Sequence, residues 1–335
     1  MSPRQITVLG ECVADAFARP ASAPNELDLR VLAGGGPANT AVALARLGTP
    51  SRFLARLSGD VFGRLFRAHL EASGVDLSHA VVASEPSTLA VAELDAQGQA
   101  AYSFHAQGTA DWQWSSAELA DVDLSATACL HTGSLALVRE PGAAAVEEFL
   151  AAASSRATIS IDPNVRPLLV HPATYRAKMR HWCDLTDVLR LSEEDLRLLL
   201  PETPIEQACD VWHAAGARLV VVTRGAGGAL VSLDGERVQV PAVMTRVVDT
   251  VGAGDSFTAG LLHHLGTRGL LGGRLTGLRM GEVAESCVFA AHVAALTCSV
   301  VGPNPPWQSQ LPQIAAADHQ LTGGPVEPGE TRPSR

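Results

Sequence analysis

Two stretches of the chain bring together residue types that do chemistry where helices begin. In the first, Arg246-Val-Val-Asp249-Thr250-Val251-Gly252-Ala253-Gly254-Asp255-Ser256-Phe257-Thr258, a β-branched run that reads as a strand leads through a glycine turn into an apolar-periodic helix. The amides of Gly252, Ala253, Gly254 and Asp255 then converge at a helix N-terminus, where an anion such as a phosphate is stabilised. Asp255 falls in the first turn, beside that anion and placed to act as general base toward an incoming hydroxyl. The same residues also suit a plain turn with Asp255 as a helix cap, and the stretch alone leaves both readings open. In the second, Ala33-Gly34-Gly35-Gly36-Pro37-Ala38-Asn39-Thr40, glycines let a small ligand approach the backbone, and Asn39 offers a donor and an acceptor to a polyol. A structural turn explains the glycines equally well. The spacing lacks G-x-G-x-x-G, which disfavours a dinucleotide site.

Both stretches need elements to hold them. Gln5 to Leu9 reads as a short buried strand and Gly36 to Leu47 as a helix. Asp15 to Leu32, rich in Pro and Ala, looks too irregular for either. Ser87 to His105 reads as two strands joined by a tight turn at Asp95-Ala96-Gln97-Gly98, an edge hairpin or a lid. Further on, apolar runs at Thr158 to Ile161, Val188 to Leu191 and Leu219 to Thr223 alternate with helical stretches at Gly142 to Ala153 and Pro204 to Ala215. That alternation predicts an α/β fold, a doubly wound and mostly parallel sheet whose ligands sit at the carboxyl ends of the strands. Residues 321–335, rich in Gly, Pro and Glu, are expected to form a disordered tail. Trp112 and Trp114 are expected to pack in the core or lid.

Composition narrows the chemistry. Of 335 residues, 47% are hydrophobic and 18% charged, which fits one large folded unit of about 320 residues. Acidic residues outnumber Lys and Arg 35 to 25, and no basic run forms, so nucleic acid is not expected as a partner. Lys178 is the single lysine, which excludes Walker A loops and protein-kinase sites. Six cysteines without a C-x-x-C pair suggest neither zinc nor disulfides, and a reducing cytoplasm. The opening residues carry no secretory pattern, and the richest apolar stretch, Ser286 to Val301, is broken by His292, so neither export nor a membrane span is expected.

Taken together, in this order and about 200 residues apart, the two glycine stretches resemble the paired signatures of the ribokinase-like (pfkB) carbohydrate kinases. Three further stretches look most like the fructokinase branch: Glu11-Cys-Val-Ala-Asp15, Ser160-Ile-Asp162-Pro-Asn164-Val-Arg166-Pro, and Val188-Leu-Arg190-Leu-Ser192-Glu-Glu194-Asp195-Leu. The resemblance implies ATP- and Mg²⁺-dependent phosphorylation of a sugar hydroxyl, most simply fructose to fructose 6-phosphate. It also implies a small β-sheet lid from about 12–33 and 87–110, which in similar proteins pairs into homodimers. By the same resemblance Asp15, Gly35, Gly36 and Asn39 hold the sugar, Asp255 deprotonates it, and Arg166 reaches the reacting groups. Thr223-Arg224-Gly225-Ala226-Gly227-Gly228 matches a phosphate loop, with Thr223, Gly225 and Gly228 nearest the nucleotide.

The chain departs from the pattern at two places. Where many relatives have Asn-x-x-Glu, helping to organise magnesium through water, this chain has Ser192 and the shorter Asp195. Near the adenine, Ala291 replaces an Asn. A monovalent cation such as K⁺ is implied at Asp249, Val251, Thr297 and Gly302. Other sugar acceptors stay open: 2-keto-3-deoxygluconate, ribose, or a nucleoside stacked on Phe17 or Phe104. A non-catalytic sugar- or nucleotide-binding regulator is the reading of another class.

Overall fold

The computed structural model describes residues 5–20, 23, 25–94 and 100–311. The expected hairpin turn at 95–98 and the expected tail lie outside them. In chain order the first elements are β1 (Gln5–Leu9), β2 (Val13–Pro20), β3 (Leu27–Gly34), α1 (Gly36–Arg46), β4 (Ser51–Leu54), β5 (Arg56–Ser58), α2 (Val61–Ala72), β6 (Val81–Ala83), β7 (Thr88–Leu94) and β8 (Ala100–His105). There follow α3 (Ser116–Ala120), β9 (Thr127–Gly133), α4 (Ala143–Ala153), β10 (Thr158–Asp162), α5 (Pro172–Leu185), β11 (Val188–Ser192), α6 (Glu193–Leu199) and α7 (Ile205–Ala214). The last are β12 (Leu219–Thr223), β13 (Ala229–Leu233), β14 (Glu236–Val240), α8 (Ala253–Thr267) and α9 (Met280–Cys298).

An eight-stranded sheet in the order β14-β13-β12-β11-β10-β9-β1-β4 forms the body. It is parallel from β4 to β12 and antiparallel over β12-β13-β14. Its strands are near-continuous apolar runs because both faces are covered. Along β12, Leu219 and Val221 join the core beneath α1, α8 and α9, while Val220 and Val222 join the core beneath α4 to α7. The chain winds outward in one direction from β1 to β4 and in the other from β9 to β12. The reversal between β1 and β9 opens a crevice at the carboxyl ends of those strands, where ligands bind in such sheets.

A second, four-stranded sheet in the order β3-β2-β7-β8 rises from this crevice. Here the structure corrects the sequence expectation: most of the stretch from Asp15 to Leu32 is strand, not irregular chain. Ala14 and Ala16 are fully buried on one face, whereas Val13 and Asp15 are half-buried and Phe17 is exposed on the other. The alternation is real, but alanines on the packed face conceal it from a hydrophobicity reading. A second correction concerns 246–251, which joins no sheet. Val247, Val248 and Val251 are exposed, and the amides of Val248 and Asp249 both donate to the Cys298 carbonyl, at 2.8 and 3.2 Å. β14 is the edge strand, and among the described residues no strand pairs with 246–251, so the β-branched propensity has no sheet to act on.

Candidate active site

The two glycine stretches meet at the crevice. Gly252, with φ +77°, caps α8, so Asp255 lies in the first turn of that helix. Gly35, with φ +103°, caps α1, which carries Asn39 one turn in. Asn39 Nδ2 donates to Asp255 Oδ2 at 2.8 Å, joining residues 216 positions apart. A Cβ at Gly36 would come within 3.2 Å of Asp255 Oδ1, and one at Gly34 would strike the Asp15 carboxylate. The glycines here make room for carboxyl groups and for whatever those groups hold.

Three carboxyls, Asp255, Asp15 and Glu11, are raised by burial, and the charge of Arg166 opposes the rise in each. Asp255 is pushed up to about 6, chiefly by burial and also by the Asp162 charge, against the Asn39 hydrogen bond and the charges of Arg166 and Arg190. Asp15 is likewise held at about 6, by burial, with Arg166 pulling it down and Asp255 pushing it up. Glu11 is buried and sits at about 7, again by burial. Its Oε2 has no hydrogen-bond partner among the described residues. Arg166 is exposed, and its charge acts on all three. On the lid, Asp15 pairs with Ala90 and Ala90 with Phe104, so Asp15 and Phe104 share one face. Phe104 stacks on Tyr102 with centroids 6.0 Å apart.

The start of α8 leaves amides free. Ala253 N–H donates to the Thr250 carbonyl at 3.2 Å; among the described residues, the amides of Gly252, Gly254 and Asp255 have no acceptor. The Ala253 amide, one of the four expected to face an anion, is thus already engaged. Against Gly254 lies the guanidinium of Arg190, so close that a Cβ there would meet Nη1 at 2.7 Å. Arg190 is buried in β11, donating from Nη1 to Asp162 at 2.7 Å and from Nη2 to Thr223 Oγ1 at 2.6 Å. Reading the sequence gave neither Arg190 nor Asp162 a role. The signal was an arginine inside an apolar strand, which must be paired where it is buried.

Behind this helix end a cleft of about 390 Å³ is lined by Arg190, Thr223, Gly225, Gly228, Gly254 and Ala291, among mostly apolar neighbours. Gly225 and Gly228, with φ +52° and +76°, shape its floor, and a Cβ at Gly228 would strike the Val240 carbonyl. Ser192 does not line it. That hydroxyl and Asp195 form a capping box on α6, and Asp195 also accepts the Val165 amide at 2.7 Å. Both Asp195 oxygens are thus engaged, and the residue is buried. Asp249, Val251 and Gly302 do come together: Asp249 accepts the Val251 amide at 3.0 Å and the Gly302 amide at 2.9 Å. The Thr297 hydroxyl points elsewhere, donating within reach of Ser256 Oγ and the Val293 carbonyl.

Comparison with known proteins gives the family and the fold. The family model described as pfkB family carbohydrate kinase matches residues 3–310. The chain belongs to that family. It is 35% identical over 267 residues to a fructokinase of Rhizobium leguminosarum bv. trifolii, covering 79% of this chain and 81% of the relative. Identity to a fructokinase of Escherichia coli is 32% over 302 residues, covering 87% and 94%. Among solved structures, the fold matches a Xylella fastidiosa fructokinase with bound ATP at a TM-score of 0.82 and 26% identity, covering 92% and 97%. A Vibrio cholerae O395 fructokinase double mutant, solved with fructose, ADP and potassium ion, matches at 0.77 and 27%, covering 90% and 94%. The carbohydrate kinase thus carries the ribokinase-like fold, a large mostly parallel sheet with a smaller sheet beside its crevice.

Proposed function

We propose that this kinase transfers the terminal phosphoryl group of ATP to a hydroxyl of fructose, giving fructose 6-phosphate. One observation carries the reading: the Asp255 carboxylate, gripped by Asn39 at 2.8 Å, stands in the first turn of a helix whose start, at Ala253 and Gly254, lines the cleft. The sugar would lie between Asp15 and Phe104 on the lid and Gly35, Gly36 and Asn39 on α1. Asp255 accepts the proton as the hydroxyl attacks. With its pKa at about 6, it is ionised near neutral pH yet a better base than an exposed aspartate. The amides of Gly252, Gly254 and Asp255 take the charge of the transferring group, and Arg190 faces the same point with a guanidinium. In a chain with a single lysine, that arginine supplies the fixed positive charge. Arg166 serves the sugar side, and Thr223, Gly225, Gly228 and Ala291 line the space for the nucleotide.

Among the described residues no three His, Cys, Asp or Glu side chains converge to hold a metal. Magnesium would enter with the nucleotide and lower the charge of its phosphates, and Asp195 would reach it only if its present bonds to Ser192 and Val165 gave way. Potassium would be held by the two loops that Asp249 ties together, at Val251 and at Gly302, and by the segment at Thr297. All six cysteines are free, and no helix among the described residues is long and apolar enough to cross a membrane. The exposed Phe17, Leu29 and Tyr102 support pairing of two lids.

The test is ADP release measured over fructose, ribose, 2-keto-3-deoxygluconate and adenosine. Fructose is expected to give the highest kcat/KM; absence of turnover with any ketose removes the fructose assignment, and absence with every acceptor removes the kinase reading in favour of a binding protein.

A further inference from the structure

One buried carboxylate links two strands of the smaller sheet to the body, beside the grip of Asp60 on Ser87 just before β7. Asp111 is 3% exposed and sits in the turn Ala110–Trp112, which belongs to the body. Arg56 Nε donates to the Ala110 carbonyl at 3.1 Å, and the Gly142 amide donates to the Trp112 carbonyl at 2.9 Å. From this anchored turn the carboxylate reaches two lid strands at their first residues. Oδ1 accepts the amide of Cys12, just before β2, at 2.9 Å. Oδ2 accepts the hydroxyl of Thr88, the first residue of β7, at 2.6 Å. The third root is held close by, where Trp112 Nε1 and Arg139 Nη2 donate to the carbonyl of Ala106, just after β8, at 2.9 and 2.7 Å.

These strands carry the sugar-facing groups. β2 and β7 run parallel from this point, with Val13 beside Thr88, and two residues on Asp15 pairs with Ala90, which pairs with Phe104. A group that fixes the first residues of both strands fixes the direction in which Asp15 and Phe104 project over Asp255. We propose that Asp111 is a positioning residue, a carboxylate pin that joins β2 and β7 to the body and sets the place of Asp15 above the acceptor hydroxyl. The proposal rests on Asp15 and Asp255 forming the sugar site. A carboxylate suits the task because both of its oxygens only accept, one from an amide and one from a hydroxyl. An asparagine keeps the shape and one acceptor but turns an NH₂ group toward a donor. The Thr88 hydroxyl can rotate and accept it, so Asp111→Asn should fold with a loosened pin. Thr88→Val removes the β7 link to Asp111, together with the Thr88–Thr109 hydroxyl contact at 2.6 Å, and leaves the Cys12 link in place, at nearly constant volume.

The experiment compares the full-length wild type, Asp111→Asn and Thr88→Val in two ways. In steady-state kinetics both variants are expected to raise KM for the sugar about tenfold, leave KM for ATP within about twofold, and raise the ATP hydrolysed per sugar phosphorylated severalfold. In hydrogen exchange of the ligand-free protein, peptides covering 13–20 and 88–94 are expected to exchange about tenfold faster, with β9 to β12 unchanged. Lid exchange equal to wild type, exchange raised evenly through the body, or a loosened lid with unaltered sugar KM each overturns the proposal. Should the wild type phosphorylate no sugar, the reading of the site fails, and the exchange comparison still decides whether Asp111 pins the lid.

Discussion

Replacing Asp255 by Asn separates what this carboxyl does for the reaction from what it does to the fold. The side chain keeps its size, and its remaining oxygen can still accept from Asn39, so sugar affinity by calorimetry should change little. Loss of a positioned base is expected to lower kcat by about 10²- to 10⁴-fold. In the wild type, kcat/KM should fall as the pH drops below about 6, where Asp255 takes up its proton; in the variant the residual rate should lack that limb. Stability should move the other way. The carboxyl is raised from 3.8 to about 6 on folding, so its contribution is fully present below about 3.8 and lost as pH rises through 6, a difference of about 3 kcal/mol at most. An amide cannot ionise, so the variant should melt a few degrees higher than wild type at pH 8, with the gain vanishing near pH 4. Retention of kcat within a few-fold refutes the base. A variant no more stable at pH 8 refutes the claim that the site holds this carboxyl where charge is penalised.

The other groups give sharper divisions between the two substrates. Asp15→Asn should raise KM for the sugar by about 10- to 100-fold with KM for ATP unchanged, since it touches the acceptor side alone. Gly254→Ala drives a methyl group to within 2.7 Å of Arg190 Nη1 and should lower kcat at least about tenfold with little change in sugar binding. Arg190→Gln leaves Asp162 buried without its ion pair and should destabilise the protein by about 3–5 kcal/mol in urea titration, besides lowering kcat. Substituting Na⁺ for K⁺ should lower activity severalfold in the wild type and have less effect in Asp249→Asn, in which one of the two loop amides loses its acceptor.

How much of this was legible depended on whether a residue announces itself by type alone. Glycines before a helix do: Gly252 and Gly35 both take left-handed or strained backbone angles at helix starts, and from that Asp255 and Asn39 could be placed although they lie 216 residues apart. The β-strands of the body were legible for the same kind of reason, since a strand buried on both faces is an apolar run and little else mimics it at that length. The lid was half legible. β7 and β8 carry bulky side chains such as Leu89, Val91, Tyr102 and Phe104, whereas β2 packs through alanines, and a small side chain reports its burial poorly. The valines after Arg246 erred in the opposite sense, looking like a strand because β-branching is taken as a cause of pairing when it is a fit to neighbours that are absent there.

Arg190 shows why the remainder could not be read. Its value lies in partners from three other strands and helices: Asp162 at the end of β10, Thr223 at the end of β12, and the bare backbone of Gly254 at the start of α8. None is near it in sequence, and each is ordinary alone. Only the parallel register, which sets Ser192 beside Thr223 and carries β10 to the other side of β11, brings the three to one guanidinium. Asp111 obeys the same logic, with its two acceptor bonds reaching back 99 and 23 residues. Glycine, by what it permits, is visible locally; a buried charge is defined by what surrounds it. The site is therefore written twice, once in motifs that say where an anion and a polyol can lie, and once in a topology that supplies the charges to hold them there.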